Sequence, residues 1–559
     1  MQGEQTMTTF EESKQKKKLE EVRKKEEEDT IKIIAGKYKL PYQNLLTIPI
    51  DVDALGIVQE EDARAADLAV VQRVGKNLQI AVRNPEKIEA KKLLKDLERQ
   101  RYSYNLFMVS RHSLEHAWQV YKQILKELVV IGGEVRISEK KIEDFRKRIE
   151  TFEDVKKILG DISEGSITEA LEAIVAGSLA VEASDVHVEP QSDLTRLRYR
   201  LDGTLHDVMF ISTQMYKFLL SRIKLTSSLK INVTNQGQDG RFTIKMKDTE
   251  IEVRTSTLPG PYGENIVMRI LDPKTISLEL EQLGMQPWVE KEMAEEVKKP
   301  NGMILTTGPT GSGKTTTLYA FLKKVHAPEI KIITLEDPIE YHLKGIEQTQ
   351  VDSKRGYNFA NGLRSVLRQD PDVILLGEIR DLETAETAMH AALTGHLVFS
   401  TLHTNDAAGT IPRLIDIGVR PNIIAPAVNV IMAQRLLRKL CMSCRIEKKL
   451  TPAELEEINV QIQSLPKNIE KPNIDSCAFF SPNVSGCARC RNTGYKGRIG
   501  VYEIFLVNDR VERLVLSSPS VSDIREAMHE QGQISMKQDG VLKVLSGITD
   551  FDELKRVVG

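Results

Sequence analysis

The sequence predicts an α/β protein whose C-terminal half is built on a largely parallel sheet, and three observations carry that prediction. From about residue 283 short apolar runs alternate with helical stretches, the pattern of strand–helix–strand units. One such run, Met303-Ile-Leu-Thr, leads into Gly308-Pro309-Thr310-Gly311-Ser312-Gly313-Lys314-Thr315-Thr316 and then into the helical Leu318-Tyr-Ala-Phe-Leu. Further apolar runs end on polar residues: Ile-Ile-Thr-Leu before Glu336-Asp337, and Val373-Ile-Leu-Leu before Gly377-Glu378.

With 559 residues the chain exceeds what one hydrophobic core serves, so three or four domains are expected. Residues 1–30 form a charged tail, nearly all Glu, Lys and Arg between 11 and 29, which reads as a solvated helix or a disordered segment. Residues 31–130 alternate apolar clusters (Leu45-Leu-Thr-Ile-Pro-Ile, Leu68-Ala-Val-Val, Leu78-Gln-Ile-Ala-Val) with charged helical stretches, which suggests a small N-terminal α/β domain. It carries no phosphate loop and no metal-ligand cluster, and His116 and Trp118 read as packing residues. The charged stretch within 131–163 reads as a linker helix.

A second module follows at 164–276. It opens with an amphipathic helix over 167–176, continues through Ala183-Ser-Asp185-Val-His187-Val-Glu189-Pro190, and enters the alternating strand Leu194-Thr-Arg-Leu-Arg-Tyr-Arg200. Asp-Gly pairs at 202–203 and 239–240 mark turns between strands. The arginines of these strands are either a solvated sheet face or a surface that meets phosphate. The remaining residues, 277–559, hold the parallel-sheet core with a cysteine-bearing subdomain at 438–498.

Composition excludes several classes of function. Apolar residues make up 41%, charged residues 28%, and the net charge is −2, so nothing suggests the basic excess of a nucleic-acid binder. No apolar run reaches the roughly 20 residues that span a bilayer. The longest, 423–433, is interrupted by Pro426 and Asn429. The polar, charged start does not read as a secretory signal. A cytoplasmic protein that reaches a membrane only through partners is expected.

The 308–316 stretch satisfies G-x4-G-K-[ST]. Its glycines let successive N–H groups face one anion, Lys314 can reach the β and γ phosphates, and the Thr315 hydroxyl can hold Mg²⁺. A carboxylate at the end of a neighbouring strand can orient the attacking water, and Glu378 is the choice for that role. Where Asp usually precedes it, position 377 is Gly. A further strand, Gly395-His396-Leu-Val-Phe-Ser-Thr-Leu-His403, carries a histidine at each end, and such polar ends fit contact with a γ-phosphate.

The cysteines add a second chemistry. Cys441-Met-Ser-Cys444 and Cys487-Ala-Arg-Cys490 are two C-x2-C pairs at the spacing of a four-cysteine zinc site, and Cys477 is left over. Four thiolates with no open position make such a zinc structural.

Taken in series, the phosphate loop, the Leu-Glu-Asp-Pro-Ile-Glu box, the Gly-Glu-Ile-Arg-Asp strand end and the Gly-His-Leu-Val-x-Ser-Thr-Leu-His-Thr-Asn box resemble the secretion/traffic ATPase superfamily. The nearer resemblance is to its PilB/GspE branch, which powers type IV pilus assembly and type II secretion. Residues 183–190 and Gln238-Asp-Gly-Arg241-Phe are similar to that branch's second-domain signatures. The resemblance implies a RecA-like P-loop core, a PAS-like α+β second domain and a tetracysteine zinc element. It further implies a homohexameric ATPase using ATP and Mg²⁺ and acting through an inner-membrane platform protein, with peripheral attachment to that membrane. Arg241 and Arg254 would reach over the nucleotide of another subunit. Glu336 and Glu340 would join the carboxylate cluster near Mg²⁺ and water, and His403 or His396 would contact the γ-phosphate. Pilus extension is the leading reading and type II secretion the rival. A DNA motor is disfavoured by the charge balance, and a retraction motor by the long N-terminal region and the cysteine pairs. Some members of the branch bind cyclic di-GMP through an Arg-Leu-Gly type motif; no such run occurs between Thr30 and Leu125, and that ligand is not expected.

Overall fold

The computed structural model describes residues 27–47, 50–74, 76–99, 102–127, 134–136, 148, 154–158, 167–246, 250–273, 278–352 and 355–559. The chain divides into two compact units, residues 1–132 and 133–559.

The first unit is the expected small α/β domain. A three-stranded sheet of Leu68–Val74, Asn77–Val82 and Ser103–Met108 is flanked by the helices Ile88–Arg99 and Arg111–Glu127. Its core gathers Leu68, Leu78, Ile80, Leu114 and Trp118. The Trp118 indole donates to the Leu68 carbonyl at 3.1 Å, so this tryptophan is a packing residue whose one polar atom is satisfied. The charged tail lies outside the described residues up to position 26, and residues 27–38 are helical.

The second unit begins with a departure from the expected linker helix. Glu134–Arg136 is a short strand that pairs in parallel with Gln238–Lys245. An edge strand offers unpaired N–H and C=O groups, and this stretch takes them up. Most of the remaining linker lies outside the described residues, with 154–158 helical.

The 164–276 module is a seven-stranded sheet in the order Glu134–Arg136, Gln238–Lys245, Glu250–Gly260, Gly263–Leu271, Asp185–Pro190, Leu194–Leu201, Thr204–Ser212. All pairs after the first are antiparallel. The alternation read in 194–201 holds: Thr195, Leu197, Tyr199 and Leu201 are buried beneath the helices, while Arg196, Arg198 and Arg200 face the other way. Register then aligns a row of charges. Arg241 stands opposite Arg254, Arg254 opposite Arg269, Arg269 opposite Asp185, and Asp185 opposite Arg200.

The C-terminal half holds a second seven-stranded sheet. Its strands are β1 (Gly302–Thr307), β2 (Ile332–Glu336), β3 (Glu347–Gln350), β4 (Val373–Leu376), β5 (Leu397–Leu402), β6 (Val428–Leu440) and β7 (Tyr495–Leu506). They lie in the order β3-β2-β4-β5-β1-β6-β7, parallel throughout except for the β6–β7 hairpin. Every residue of β1, β2, β4 and β5 is buried, as continuous apolar runs covered by helices on both faces require. One face packs on Leu363, Ala388 and Ile424, the other on Leu318, Phe321 and Met293. The cysteine subdomain is an insertion between β6 and β7. Because β1, β2, β4 and β5 run in one direction, their C-terminal ends share one edge of the sheet, where ligands of such folds bind.

Candidate functional site

The phosphate loop occupies that edge. β1 delivers Gly308, Gly311 and Gly313 with φ of 145°, 80° and 94°, a region L side chains rarely adopt. A Cβ on Gly308 would fall 2.6 Å from the Gln434 carbonyl, so the loop admits no larger residue there. The helix Lys314–Val325 begins immediately after, its N-terminal N–H groups facing the loop. Lys314 folds back and donates to the carbonyls of Gly308 at 2.7 Å and Pro309 at 3.2 Å. Burial lowers its pKa and Glu378 opposes that shift. The Ser312 hydroxyl is buried with no hydrogen-bond partner among the described residues. An orphaned hydroxyl, a glycine cradle and a lysine spending its donors on its own loop suit an anion that would accept all of them.

Around the loop lies a cavity of about 530 Å³ lined by Thr310–Thr316, Glu336, Glu340, Glu378, His403 and Arg269, among others. Glu378, its side chain only 14% exposed, lies just past the end of β4 and contacts Arg380 on one oxygen. The His403 Nε2 stands 3.5 Å from its other oxygen. The glycine before it has a local reason: a Cβ at 377 would meet the Leu335 carbonyl at 3.2 Å and Phe359 at 3.3 Å, so a side chain there is crowded. Glu336 is buried and fully engaged. Thr334 donates to one oxygen at 2.6 Å and Gln348 at 3.2 Å, and the Tyr319 hydroxyl donates to the other. Burial raises its pKa. Glu336 thus ties the helix after the phosphate loop to β2, with both oxygens already engaged at the cavity wall.

The two histidines separate. His403 lies at the C-terminal end of β5, in the cavity. His396 precedes β5, at the opposite edge of the sheet, where its Nδ1 meets the Ala391 carbonyl at 3.0 Å. A six-residue strand stands between them, so the expectation of a γ-phosphate contact from His396 is corrected.

The arginines separate as well. Arg254 contacts Glu340 at 3.0 Å and donates to the Ile339 carbonyl, both within its own chain. Its strand thus overhangs the 336–340 box of the same chain, whereas the family resemblance implies service to the nucleotide of another subunit. Arg241 is 72% exposed and lies 3.7 Å from Glu252, outside the cavity lining.

In the insertion, Cys441, Cys444, Cys487 and Cys490 converge with all four sulfurs within 4.8 Å of one another. The Cys441–Cys487, Cys444–Cys490 and Cys487–Cys490 sulfur distances are 3.8, 3.7 and 3.8 Å. Sulfurs bound tetrahedrally at 2.3 Å from zinc would lie about 3.8 Å apart, so the donor set and its spacing both fit that ion. The Cys487 and Gly494 N–H groups donate to the Cys490 sulfur at 3.1 and 3.3 Å. Burial alone would raise this thiol, yet these donors together with the Cys444 and Cys487 thiols bring its pKa down to about 7, as a thiolate ligand needs.

A family model described as "Type II/IV secretion system protein" matches residues 161–556. The chain belongs to that family. As a secretion-family member it is an ATPase. A second model, the MshEN domain, matches residues 38–127, within the small N-terminal α/β unit. The type IV pilus assembly ATPase PilB of Myxococcus xanthus is 35% identical over 532 residues, covering 95% of this chain and 91% of that protein. The type II secretion system protein HxcR of Pseudomonas aeruginosa is 40% identical over 414 residues, 74% of this chain and 82% of that one. Among solved structures the Legionella pneumophila ATPase DotB shares the fold, with TM-score 0.51 and 20% identity over 69% of this chain and 94% of its own.

Several residues that line the cleft carry little signal in the sequence. Arg269 lines the cavity while its Nε donates to Asp185 at 3.1 Å. Its only sequence signal was the alternation in Asn265-Ile-Val-Met-Arg269, which marks a face but not a neighbour. Arg380 and Arg498 line the cavity too. A second cavity of about 540 Å³ adjoins the first, shares Arg269, Gly313 and Thr316 with it, and adds Leu278, Leu283, Ile499 and Tyr502.

Proposed function

We propose that six copies of this chain form a ring that hydrolyses ATP and drives extension of a type IV pilus through an inner-membrane platform protein. One observation carries the reading. A single cleft gathers the phosphate loop, Glu378, His403 and Arg269, with Arg254 resting on Glu340 at its rim. ATP lays its phosphates on the N–H groups of the loop, and Lys314 exchanges the Gly308 and Pro309 carbonyls for phosphate oxygens. Burial has lowered the lysine's pKa, and the anion restores its preference for the charged form. Thr315 would hold Mg²⁺, which supplies charge neutralisation of the phosphates. Glu378 orients the attacking water and takes its proton, while His403 and Arg380 hold the carboxylate. Arg254 and Arg269 meet charge that develops on the phosphoryl group. The apolar walls of the adjoining cavity suit the nucleotide base.

The four cysteines would hold one structural zinc, whose binding energy counts toward folding of the 438–498 subdomain. No helix among the described residues is long and apolar enough to cross a membrane, in keeping with attachment to the inner membrane through partners from the cytoplasmic side. The alignment with the pilus ATPase runs over 95% of this chain and includes the N-terminal unit, whereas that with the type II secretion protein covers 74%. This favours pilus assembly. Type II secretion, through the same motor chemistry, is the second reading, favoured by the higher identity over the ATPase part. Deleting the gene decides between them: loss of surface pili with normal protein export supports the first, and lost export with intact pili supports the second. ATP turnover by the purified chain tests the enzymatic core of both.

A further inference from the structure

The zinc knuckle ends on an arginine that the site described above leaves unused. Arg491 directly follows Cys490 and has φ of 54°, a left-handed conformation uncommon for a residue with a side chain. Its guanidinium, 19% exposed, reaches out of the knuckle into the second domain. There it donates through Nη2 to the Ala180 carbonyl at 2.8 Å and through Nη1 to the Val181 carbonyl, with the Glu182 carboxylate 3.8 Å away. Ala180 is the last residue of the helix Ile167–Ala180, so the cation fills a helix end whose carbonyls lack intrahelical partners.

From that helix end the chain passes along the adjoining cavity and reaches, in a few residues, the carboxylate that holds a cleft arginine. After the turn at Glu182, itself at φ 57°, comes Asp185, buried, accepting from the Arg269 Nε at 3.1 Å and ion-paired with Arg200 at 3.1 Å. Arg269 lines the phosphate cavity. The contact between the two parts is doubled nearby, where the Gly497 N–H donates to Asp202 at 2.9 Å. Of the residues on this path Asp185 is 8% exposed and Arg491 19%, so the stretch between them has little freedom to drift.

We propose that Arg491 is a positioning residue through which the zinc knuckle sets the Ile167–Ala180 helix end and Asp185, and so aims Arg269 at the phosphates. The proposal rests on the reading that ATP occupies this cleft. A bland alternative is that Arg491 only adds adhesion between two packed parts, in which case its loss would touch stability and leave the catalytic step alone.

The experiment uses the full-length, zinc-loaded protein as wild type, R491A, R491K, R269A and the R491A/R269A double variant. Zinc content, Tm, kcat and KM for ATP, and amide exchange over residues 181–186 are read on each. R491A is expected to keep one zinc per chain, to lower kcat about tenfold while KM stays within about twofold, and to speed exchange at 181–186, a loss within the range for coupling between sites. R491K, which keeps the charge but not the two-pronged donor, is expected to recover part of kcat. In the R269A background, R491A should lower kcat no further, because residues acting through one another are not additive. Wild-type kcat in R491A, or the same fold loss with and without Arg269, would overturn the proposal. So would loss of zinc or a lowered Tm in R491A with unchanged kcat and exchange in R491K. If R269A itself turns over at the wild-type rate, the reading of Arg269 in the cleft fails as well. A slow R269A beside a normal R491A removes this inference alone.

Discussion

Lys314 spends its donors on the loop's own carbonyls, and that arrangement predicts what its removal does. K314A leaves the loop without its fixed cation, so ATP turnover should vanish and nucleotide binding weaken greatly, as a titration with a fluorescent nucleotide would report. Unchanged turnover in K314A would refute the assignment of the site. Glu378 belongs to the same scale. E378Q preserves the shape at the end of β4 and the contact with Arg380, yet an amide cannot accept the proton of the attacking water, so binding should persist while hydrolysis stalls. Persisting turnover would hand the role to Glu340. Glu336 is the poorer substitute, because Tyr319, Thr334 and Gln348 already occupy its oxygens and burial favours its neutral form. At Arg254 the expected loss is catalytic. R254A removes a cation that meets developing charge, a contribution worth roughly 10³ or more in kcat for an arginine of this kind, with affinity comparatively intact. Arg241, exposed and outside the cleft lining, should matter only if ring closure brings it in, and a near-normal R241A would mark it as surface charge.

At the level of elements, the cysteine insertion is a loop of the β6–β7 hairpin with few buried apolar residues of its own, and Ile458, Ile462 and Phe479 pack into a cluster with Val541, Phe551 and Leu554 of the C-terminal helices. A subdomain of that size needs a staple. Elemental analysis should find one zinc per chain, and replacing Cys441 and Cys444 together by Ser should raise amide exchange across 440–498 while the phosphate loop remains protected. A metal-free preparation of normal thermal stability would overturn it. The insertion was legible because C-x2-C spacing is a local pattern, as was the phosphate loop, where each glycine sits at a φ that residues with side chains rarely adopt. The short strand at 134–136 was not legible. Three residues of Glu-Val-Arg carry no period, and only the open edge of a distant strand recruits them.

For the whole molecule the question is which subunit's arginine serves which nucleotide. Arg254 meets Glu340 of its own chain, so in the proposed ring each subunit should complete its own site. Mixing R254A and K314A subunits tests this. Service within a chain predicts no recovery of turnover at any ratio once mixed rings are shown to form, because every subunit then lacks either loop or arginine. Partial recovery would establish service between subunits. The sequence by itself determined the α/β class, the phosphate loop, the order of the carboxylate and histidine boxes, and the paired cysteines, because each is a pattern written within a dozen residues or in two short repeats. Tertiary structure alone decided which of these meet. Strand direction sent His403 to the cleft and His396 to the far edge, strand register lined Arg254 beside Arg269, and packing closed Glu336 off from solvent. Contacts of that kind join residues tens to hundreds of positions apart, and their geometry depends on how sheets and helices stack, which no local pattern encodes.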